Sequence, residues 1–178
     1  MPYLIAAVVL VGLLGLLNLV LSAGIIRRLR EHTELLSVRL DVANVFTRAV
    51  GDRITPATAT ATDGTTVAIG SADALVLGFF TTDCETCHER LPEFVAYAKD
   101  FPPGRDGITA VVVGAPEEVW EMVDRLEPVA RVIVEPEFGA VQTAVGVRGF
   151  PALCLIGPDG TIVTAGVRIS SLPVGAAA

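Results

Sequence analysis

The segment LVLGFFTTDCETCHERLP, residues 75–92, places two cysteines between an apolar run and a helix-forming stretch. An apolar run bounded by small polar residues predicts a buried strand, and the residues after it predict a helix capped by Asp83 or Thr82. Cys84 and Cys87 would then lie at a helix N-terminus, where unpaired backbone N–H groups favour a thiolate. This arrangement predicts a redox site.

The same two cysteines are compatible with other chemistry. A C-x-x-C pair can be half of a zinc site, for which His88 and Cys154 are the available further ligands. With His88 the motif is C-x-x-C-H, the attachment signature of c-type haem, which would need a distal ligand such as Met; Met122 is the only Met beyond the first residue. Met122 lies in an unrelated predicted helix, and haem leaves the buried strand before the motif unexplained. The pattern favours thiol chemistry without metal or cofactor, and both alternatives stay open.

Short apolar runs and amphipathic stretches predict regular structure around this segment. The predicted strands are Thr65–Ile69, Leu75–Thr81, Thr109–Val113, Arg131–Val134, Pro151–Ile156 and Thr161–Val167, and the predicted helices are Cys84–Phe101, Glu117–Leu126 and Glu137–Val145. A linker or irregular edge strand is expected over residues 51–62, and a flexible tail over 169–178. The alternation predicts an α/β fold, a central mixed sheet with helices on both faces.

The N-terminal part of the chain has a different character. Residues 1–26 carry no charged side chain, and the apolar run from Tyr3 to Ile26 exceeds the roughly 20 residues that span a bilayer. A cationic n-region and a small-residue cleavage site are not clear in it, so we predict an uncleaved transmembrane anchor over 1–26.

Residues 27–50 follow the anchor as a charged stretch without Gly or Pro, which predicts a juxtamembrane helix. Leu29, Leu36, Ala43 and Val50 recur every seven residues, a spacing that suggests self-association through residues 29–50. Packing of this helix on its own domain is the alternative.

Charge and cysteine content narrow the class of partner. Residues 31–178 carry 10 basic and 20 acidic side chains, a formal charge of −10, so binding of nucleic acid is not expected. Three cysteines do not make a disulfide-stapled scaffold. Cys154, in the apolar run LCLI, is predicted to be a buried structural thiol, and Phe79 and Trp120 are predicted core residues.

The cysteine segment resembles the active-site strand, turn and helix of the thioredoxin-like superfamily, in its membrane-anchored TlpA/ResA/MauD-type branch. Upstream, VGDRITPATATATDGTTVAI is similar to the opening hairpin of that branch, and downstream VRGFPALCLIGPDGTIVTAG is similar to its cis-proline strand, turn and final strand. The resemblance implies a thioredoxin-like domain over 51–168. It further implies a thiol–disulfide oxidoreductase of the protein disulfide reductase type, acting on protein thiols and disulfides without a bound cofactor.

Roles for individual residues follow. Cys84, at the helix tip, is predicted to be the nucleophile, and Cys87 the resolving thiol. The resemblance implies a cis bond between Phe150 and Pro151 opposite the cysteines, with Gly149 on the approach to it. It also implies that the backbone before the proline pairs with an incoming peptide as an added strand.

Charged neighbours of Cys84 are candidate modulators of its reactivity. Asp83 and Glu85 bracket it with negative charge, which disfavours a thiolate. His88, four residues after Cys84, lies on the same helical face, where a protonated imidazole would favour the thiolate. An exposed surface histidine is the alternative.

The sequence departs from the family pattern where protons are handled. Asp83 stands where the family usually has Trp, and Gly78 where many thioredoxins have a buried carboxylate that accepts the proton of the second thiol. Arg90 stands where some anchored relatives have a glutamate. Glu89 and Glu93 are candidates for a substitute base, with a solvated helix face as the alternative.

Membrane orientation and function class each have two interpretations. Arg27, Arg28 and Arg30 directly after the anchor favour a cytoplasmic domain in a single-pass cell-membrane protein, whereas the resemblance implies an extracytoplasmic one. Relatives reduce or oxidise partners during maturation of cytochrome c or other enzymes. A thioredoxin-fold assembly factor with incidental redox activity is the second function considered.

Overall fold

A computed structural model of the chain describes residues 12–16, 18, 46–70 and 75–173. Residues 12–16 and 18 are helical and belong to one compact unit, and the residues from 46 onwards belong to another. The rest of the predicted anchor, and the predicted juxtamembrane residues before 46, lie outside the described residues. Within the described part, no helix is both long enough and apolar enough to cross a bilayer.

The second unit contains the strands and helices that build the domain. The strands are β1 Ala57–Thr60, β2 Thr66–Ile69, β3 Leu75–Thr81, β4 Ile108–Val113, β5 Arg131–Glu135, β6 Ala152–Ile156 and β7 Ile162–Gly166, and the helices are α1 Glu85–Asp100, α2 Trp120–Leu126 and α3 Ala140–Val145. Short 3₁₀ turns are formed by Gly104–Gly107 and Ile169–Ser171. The β1–β2 pair is the opening hairpin that the resemblance implies, and its turn contains Asp63 and Gly64.

A mixed sheet of order β5-β4-β3-β6-β7 lies at the centre of the domain. Its strands β3, β4 and β5 are parallel, and β6 and β7 run antiparallel to their neighbours. β3 and β4 are buried along almost their whole length, which explains why their sequences are continuous apolar runs rather than alternating ones. The predicted mixed sheet is confirmed.

Two hydrophobic clusters cover opposite faces of this sheet. On one face, Leu91 and Phe94 of α1 and Met122 of α2 pack with Phe80. On the other, apolar side chains of α3 and of the β1–β2 hairpin pack with Phe79. Helices therefore lie on both faces, as predicted, and Phe79 is a core residue.

The helix α3 begins at Ala140 rather than at the predicted Glu137, and a buried carboxylate explains its start. Glu135, at the end of β5, accepts the backbone N–H of Val141 at 3.0 Å and of Gln142 at 2.7 Å. These are N–H groups of the first turn that have no partner inside the helix. Strand β5 thus supplies the cap of the helix that follows it.

The prediction that Trp120 is a core residue is wrong, because this side chain is 70% exposed. The helix α2 begins at Trp120 and buries Met122, Val123 and Leu126. A residue two positions before Met122 points about 200° away from it around the helix. Trp120 therefore lies on the solvent side.

The domain extends beyond the predicted boundary at residue 168. Leu172 is buried against the α1 face of the sheet, and the Tyr97 hydroxyl of α1 donates to the Pro173 carbonyl at 3.2 Å. The prediction of a flexible tail is therefore wrong for residues 169–173, because one apolar side chain anchors them. Residues 174–178 lie outside the described residues.

Candidate redox site

Cys84 is the N-cap residue of α1, which corrects the predicted cap at Asp83 or Thr82. Its backbone is extended, and its Sγ accepts the backbone N–H of Cys87 at 3.2 Å. A sulfur here takes the place of the oxygen that Ser or Asp usually offers to an unpaired N–H of the first turn. An N–H donor directed at this sulfur favours negative charge on it.

The structure brings Cys84 next to the Phe150–Pro151 peptide, which is cis. The Cys84 thiol donates to the Phe150 carbonyl, with 3.6 Å between Sγ and oxygen. Sheet register explains the approach, because Phe79 of β3 pairs with Ala152 of the antiparallel β6. The residues just before β6 therefore lie beside the end of β3, where the cysteine turn begins.

Cys87 is fully buried, whereas Cys84 is partly exposed, and both thiols are free. Cys87 lies one turn into α1, on the face that also buries Leu91 and Phe94. Burial raises the pKa of the Cys87 thiol well above its usual range, and the neighbouring Cys84 adds to this effect. The reduced pair is therefore asymmetric, with an accessible sulfur at the helix tip and a protonated one beneath it.

Aromatic rings occupy the space around Gly78, six residues before Cys84. A Cβ added there would lie 2.7 Å from Phe94 Cζ and 2.9 Å from Phe80 Cε2. The two rings pack edge to face with 5.2 Å between their centroids. The edge of the Phe94 ring therefore occupies the space in which the resemblance would place a carboxylate.

The two candidate substitute bases lie on the outer side of α1. Glu89 is exposed, and Glu93 forms an ion pair with Arg90 at 2.8 Å. Cys87 faces the sheet instead. The helix therefore separates these carboxylates from the thiol that was predicted to need them.

Asp83, Glu85 and His88, the predicted modulators, are all exposed. The His88 Nε2 donates to the Thr82 carbonyl at 2.9 Å and so closes the turn that precedes Cys84. This contact favours the interpretation of His88 as a surface residue with a local structural role.

Cys154 is buried in β6, as predicted for a structural thiol, and burial raises its pKa to about 12. It packs in the cluster on the α3 face of the sheet, whereas Cys87 packs in the cluster on the α1 face. The two cannot share a zinc ion. Across the described residues, no three His, Cys, Asp or Glu side chains are grouped to hold a metal ion.

One part of the site was missed by the sequence interpretation, which assigned residues up to 50 to a juxtamembrane helix. Residues 47–50 are not helical. The Phe46 carbonyl accepts the Arg148 N–H at 2.7 Å, and the Phe46 ring covers Gly149. The glycine at 149 is the available sequence signal, since it leaves room for a neighbour, but it does not identify that neighbour.

The sheet order, the helix-capping cysteine and the cis proline beside it are the features of a thioredoxin-like α/β fold. No protein-family model matches the sequence, and no curated protein does. Solved structures that are similar to it include the thioredoxin domain of a thiol-disulfide oxidoreductase from Bacteroides vulgatus, with 19% sequence identity and a TM-score of 0.57 over 70% of this chain and 92% of that one. A thiol:disulfide interchange protein from Bacteroides sp. is similar with 18% identity and a TM-score of 0.56 over 70% of this chain and 85% of that one. StoA from Bacillus subtilis is similar with 16% identity and a TM-score of 0.51 over 64% of this chain and 87% of that one. At these identities the likeness shows the thioredoxin fold.

Proposed function

We propose that this chain is a membrane-tethered thiol–disulfide oxidoreductase of the TlpA/ResA/MauD type that acts on protein thiols and disulfides through Cys84 and Cys87. The observation that carries the proposal is the partly exposed Cys84 sulfur at the tip of α1, which accepts the Cys87 N–H and faces the carbonyl before a cis proline. Two of the similar structures are a thiol-disulfide oxidoreductase domain and a thiol:disulfide interchange protein, names that describe the same chemistry in those proteins.

The exchange needs two steps when the protein reduces its substrate. The Cys84 thiolate attacks one sulfur of the substrate disulfide, the substrate S–S bond breaks, and the departing sulfur takes a proton from solvent. Cys87 then gives its proton to solvent and attacks Cys84 Sγ. The bond between Cys84 and the substrate sulfur breaks, and that sulfur takes a proton from solvent and leaves as the second substrate thiol. Two electrons reach the substrate, and the protein retains a Cys84–Cys87 disulfide; the reverse sequence oxidises a dithiol.

Substrate recognition is assigned to the residues before β6. Gly149 and Phe150 would pair with an extended peptide through their backbone, and Pro151 holds that backbone opposite Cys84. Such pairing recognises main chain rather than particular side chains, so it suits protein substrates of varied sequence.

The second step has a predictable pH dependence. Because burial raises the pKa of Cys87, its thiolate fraction at neutral pH is small and grows roughly tenfold per pH unit. The rate of substrate release from the Cys84 mixed disulfide should rise roughly tenfold for each pH unit between pH 6 and 9. Quenched-flow with acid trapping measures this rate. A rate that levels off below pH 8 would contradict the assignment of Cys87 as an unassisted resolving thiol.

Turnover of a peptide with one internal disulfide, with dithiothreitol as the final reductant, tests the function on the purified full-length chain. We expect reduction of the peptide to be faster with the wild-type chain than with dithiothreitol alone. Cys154→Ala is a matched control on a buried thiol and should have the wild-type rate. A wild-type rate no faster than that of dithiothreitol alone would exclude the proposed activity. A Soret band in the same preparation would instead support the C-x-x-C-H haem alternative.

The tether is the part of the proposal that depends on sequence. We assign residues 1–26 as a single-pass anchor in the cell membrane because of their length and lack of charge. Labelling of Cys84 in intact cells with a membrane-impermeant thiol reagent would place the domain outside, and protection until lysis would place it in the cytoplasm. Cys154→Ala removes the buried thiol outside the redox pair, so that labelling reports on Cys84 and Cys87 alone.

One observation favours the second function, an assembly or maturation factor whose redox activity is incidental. Phe94 occupies the space beside Gly78, so Cys87 has no carboxylate from that position to take its proton. A Cys84→Ser/Cys87→Ser chain that still supports maturation of its partner in cells would favour this factor, and loss of maturation would favour the oxidoreductase.

A further inference from the structure

The segment that enters the domain lies directly against the residues that lead to the cis proline. Arg148 N–H donates to the Phe46 carbonyl at 2.7 Å, and Arg48 N–H donates to the Val145 carbonyl at 3.4 Å. Residues 46–48 therefore run beside residues 145–148, with a backbone contact at each end. Thr47, between the two contacts, is buried.

Two glycines make this approach possible. Gly146 ends α3 with a φ of 74°, and a Cβ there would lie 2.8 Å from Arg48 Cγ. Gly149 does not have a left-handed backbone, so its lack of a side chain is explained by space. A Cβ at Gly149 would overlap the ring of Phe46. The Phe46 ring thus fits against the backbone of Gly149.

The next residue after Gly149 is the one that faces the redox pair. Phe150 has its carbonyl 3.6 Å from Cys84 Sγ, and its side chain packs against the same hydrophobic cluster as Phe46. The backbone from 148 to 150 is held on one side by Phe46 and meets Cys84 at its end. A displacement of Phe46 would therefore be transmitted to the peptide that faces the sulfur.

We propose that Phe46 is a positioning residue of the redox site, which fixes the backbone of residues 148–150 for pairing with a protein substrate. The inference rests on the proposed function. The stretch between the N-terminal apolar segment and the domain would then belong to the substrate-binding structure. The effect is specific to substrates that pair with the backbone, because a small disulfide needs contact with Cys84 alone.

The first test compares Phe46→Ala, Phe46→Leu and the control Val50→Ala in the full-length chain. Val50 belongs to the same segment and is 50% exposed. We expect Phe46→Ala to raise KM for the peptide disulfide roughly tenfold with little change in kcat, the scale of a lost positioning contact. Phe46→Leu should have a KM close to that of the wild-type chain. Phe46→Ala and Phe46→Leu should both react with a small aromatic disulfide at the wild-type rate.

The second test uses the contact between the ring and the glycine. Gly149→Ala should raise KM as much as Phe46→Ala does, because the new methyl group displaces the ring. In the double variant Phe46→Ala/Gly149→Ala the methyl group has room, so KM should be no worse than in either single variant. Should Phe46→Ala unfold at the assay temperature, which a thermal melt reports, Gly149→Ala tests the expected rise in KM by itself, with Phe46→Leu as the conservative control.

The outcomes separate this inference from the proposed function. An inactive wild-type chain refutes the oxidoreductase assignment and the inference with it. An active wild-type chain with an unchanged KM in Phe46→Ala and Gly149→Ala refutes the inference alone. Equal losses on peptide and small disulfides would also refute it, because they would indicate a general structural defect.

Discussion

Replacing Cys84 with serine should lower peptide-disulfide turnover roughly 10³-fold or more, the scale of losing a nucleophile that acts with a partner. A serine hydroxyl is not ionised near neutral pH and cannot form the mixed disulfide. Cys84 is also the sulfur that accepts the Cys87 N–H, and a serine oxygen would keep that cap. The loss should therefore appear in activity with little change in the free energy of unfolding.

Cys87→Ser gives a different result from Cys84→Ser, and the difference identifies the roles. The first attack remains possible, so a covalent adduct between Cys84 and the peptide should accumulate and be visible by mass spectrometry under non-reducing conditions. Adduct formation by Cys84→Ser, with none by Cys87→Ser, would reverse the assignment. Cys154→Ala serves as the control, since its thiol is buried on the other face of the sheet.

Much of this site could be predicted because its signals are local in the sequence. The apolar run of β3, the C-x-x-C spacing and the Phe150-Pro151 pair each lie within a few residues, and the fold brings them together as the resemblance implies. The cap was assigned wrongly because Asp83 is a common N-cap residue, and sequence does not show which of two adjacent residues begins the helix.

The features that escaped prediction depend on contacts between distant segments. Glu135 caps α3 from the preceding strand, which no capping motif within the helix reveals. Trp120 was assigned to the core by residue type, although the helix that it begins buries its opposite face. Phe46 reaches Gly149 across about a hundred residues of sequence, beyond any local pattern.

The second large effect is expected at Gly78, where a side chain should cost more stability than its size suggests. Val76 and Phe80, on either side of it in β3, face the cluster that contains Cys87, and so would a side chain at 78. Gly78→Ala should lower the free energy of unfolding by about 1–3 kcal/mol through overpacking against Phe94. Gly78→Asp should cost about 3–5 kcal/mol, because it also buries a carboxylate without a partner.

A second substitution, Phe94→Leu, makes room for the carboxylate at position 78. The double variant then tests proton transfer as well as stability. In Gly78→Asp/Phe94→Leu the ring edge is gone, so denaturant unfolding should show a loss smaller than the sum of the single losses. An aspartate on the same side of β3 as Cys87 would accept the thiol proton, so release of substrate should become faster at pH 7 and less steep with pH. The control Phe94→Leu should keep the steep pH dependence of the wild-type chain. If substrate release in the double variant is as slow at pH 7, and its rate as steeply dependent on pH, as in that control, position 78 does not exchange protons with Cys87. The departure at Gly78 from the pattern that the sequence resembles would then concern packing alone.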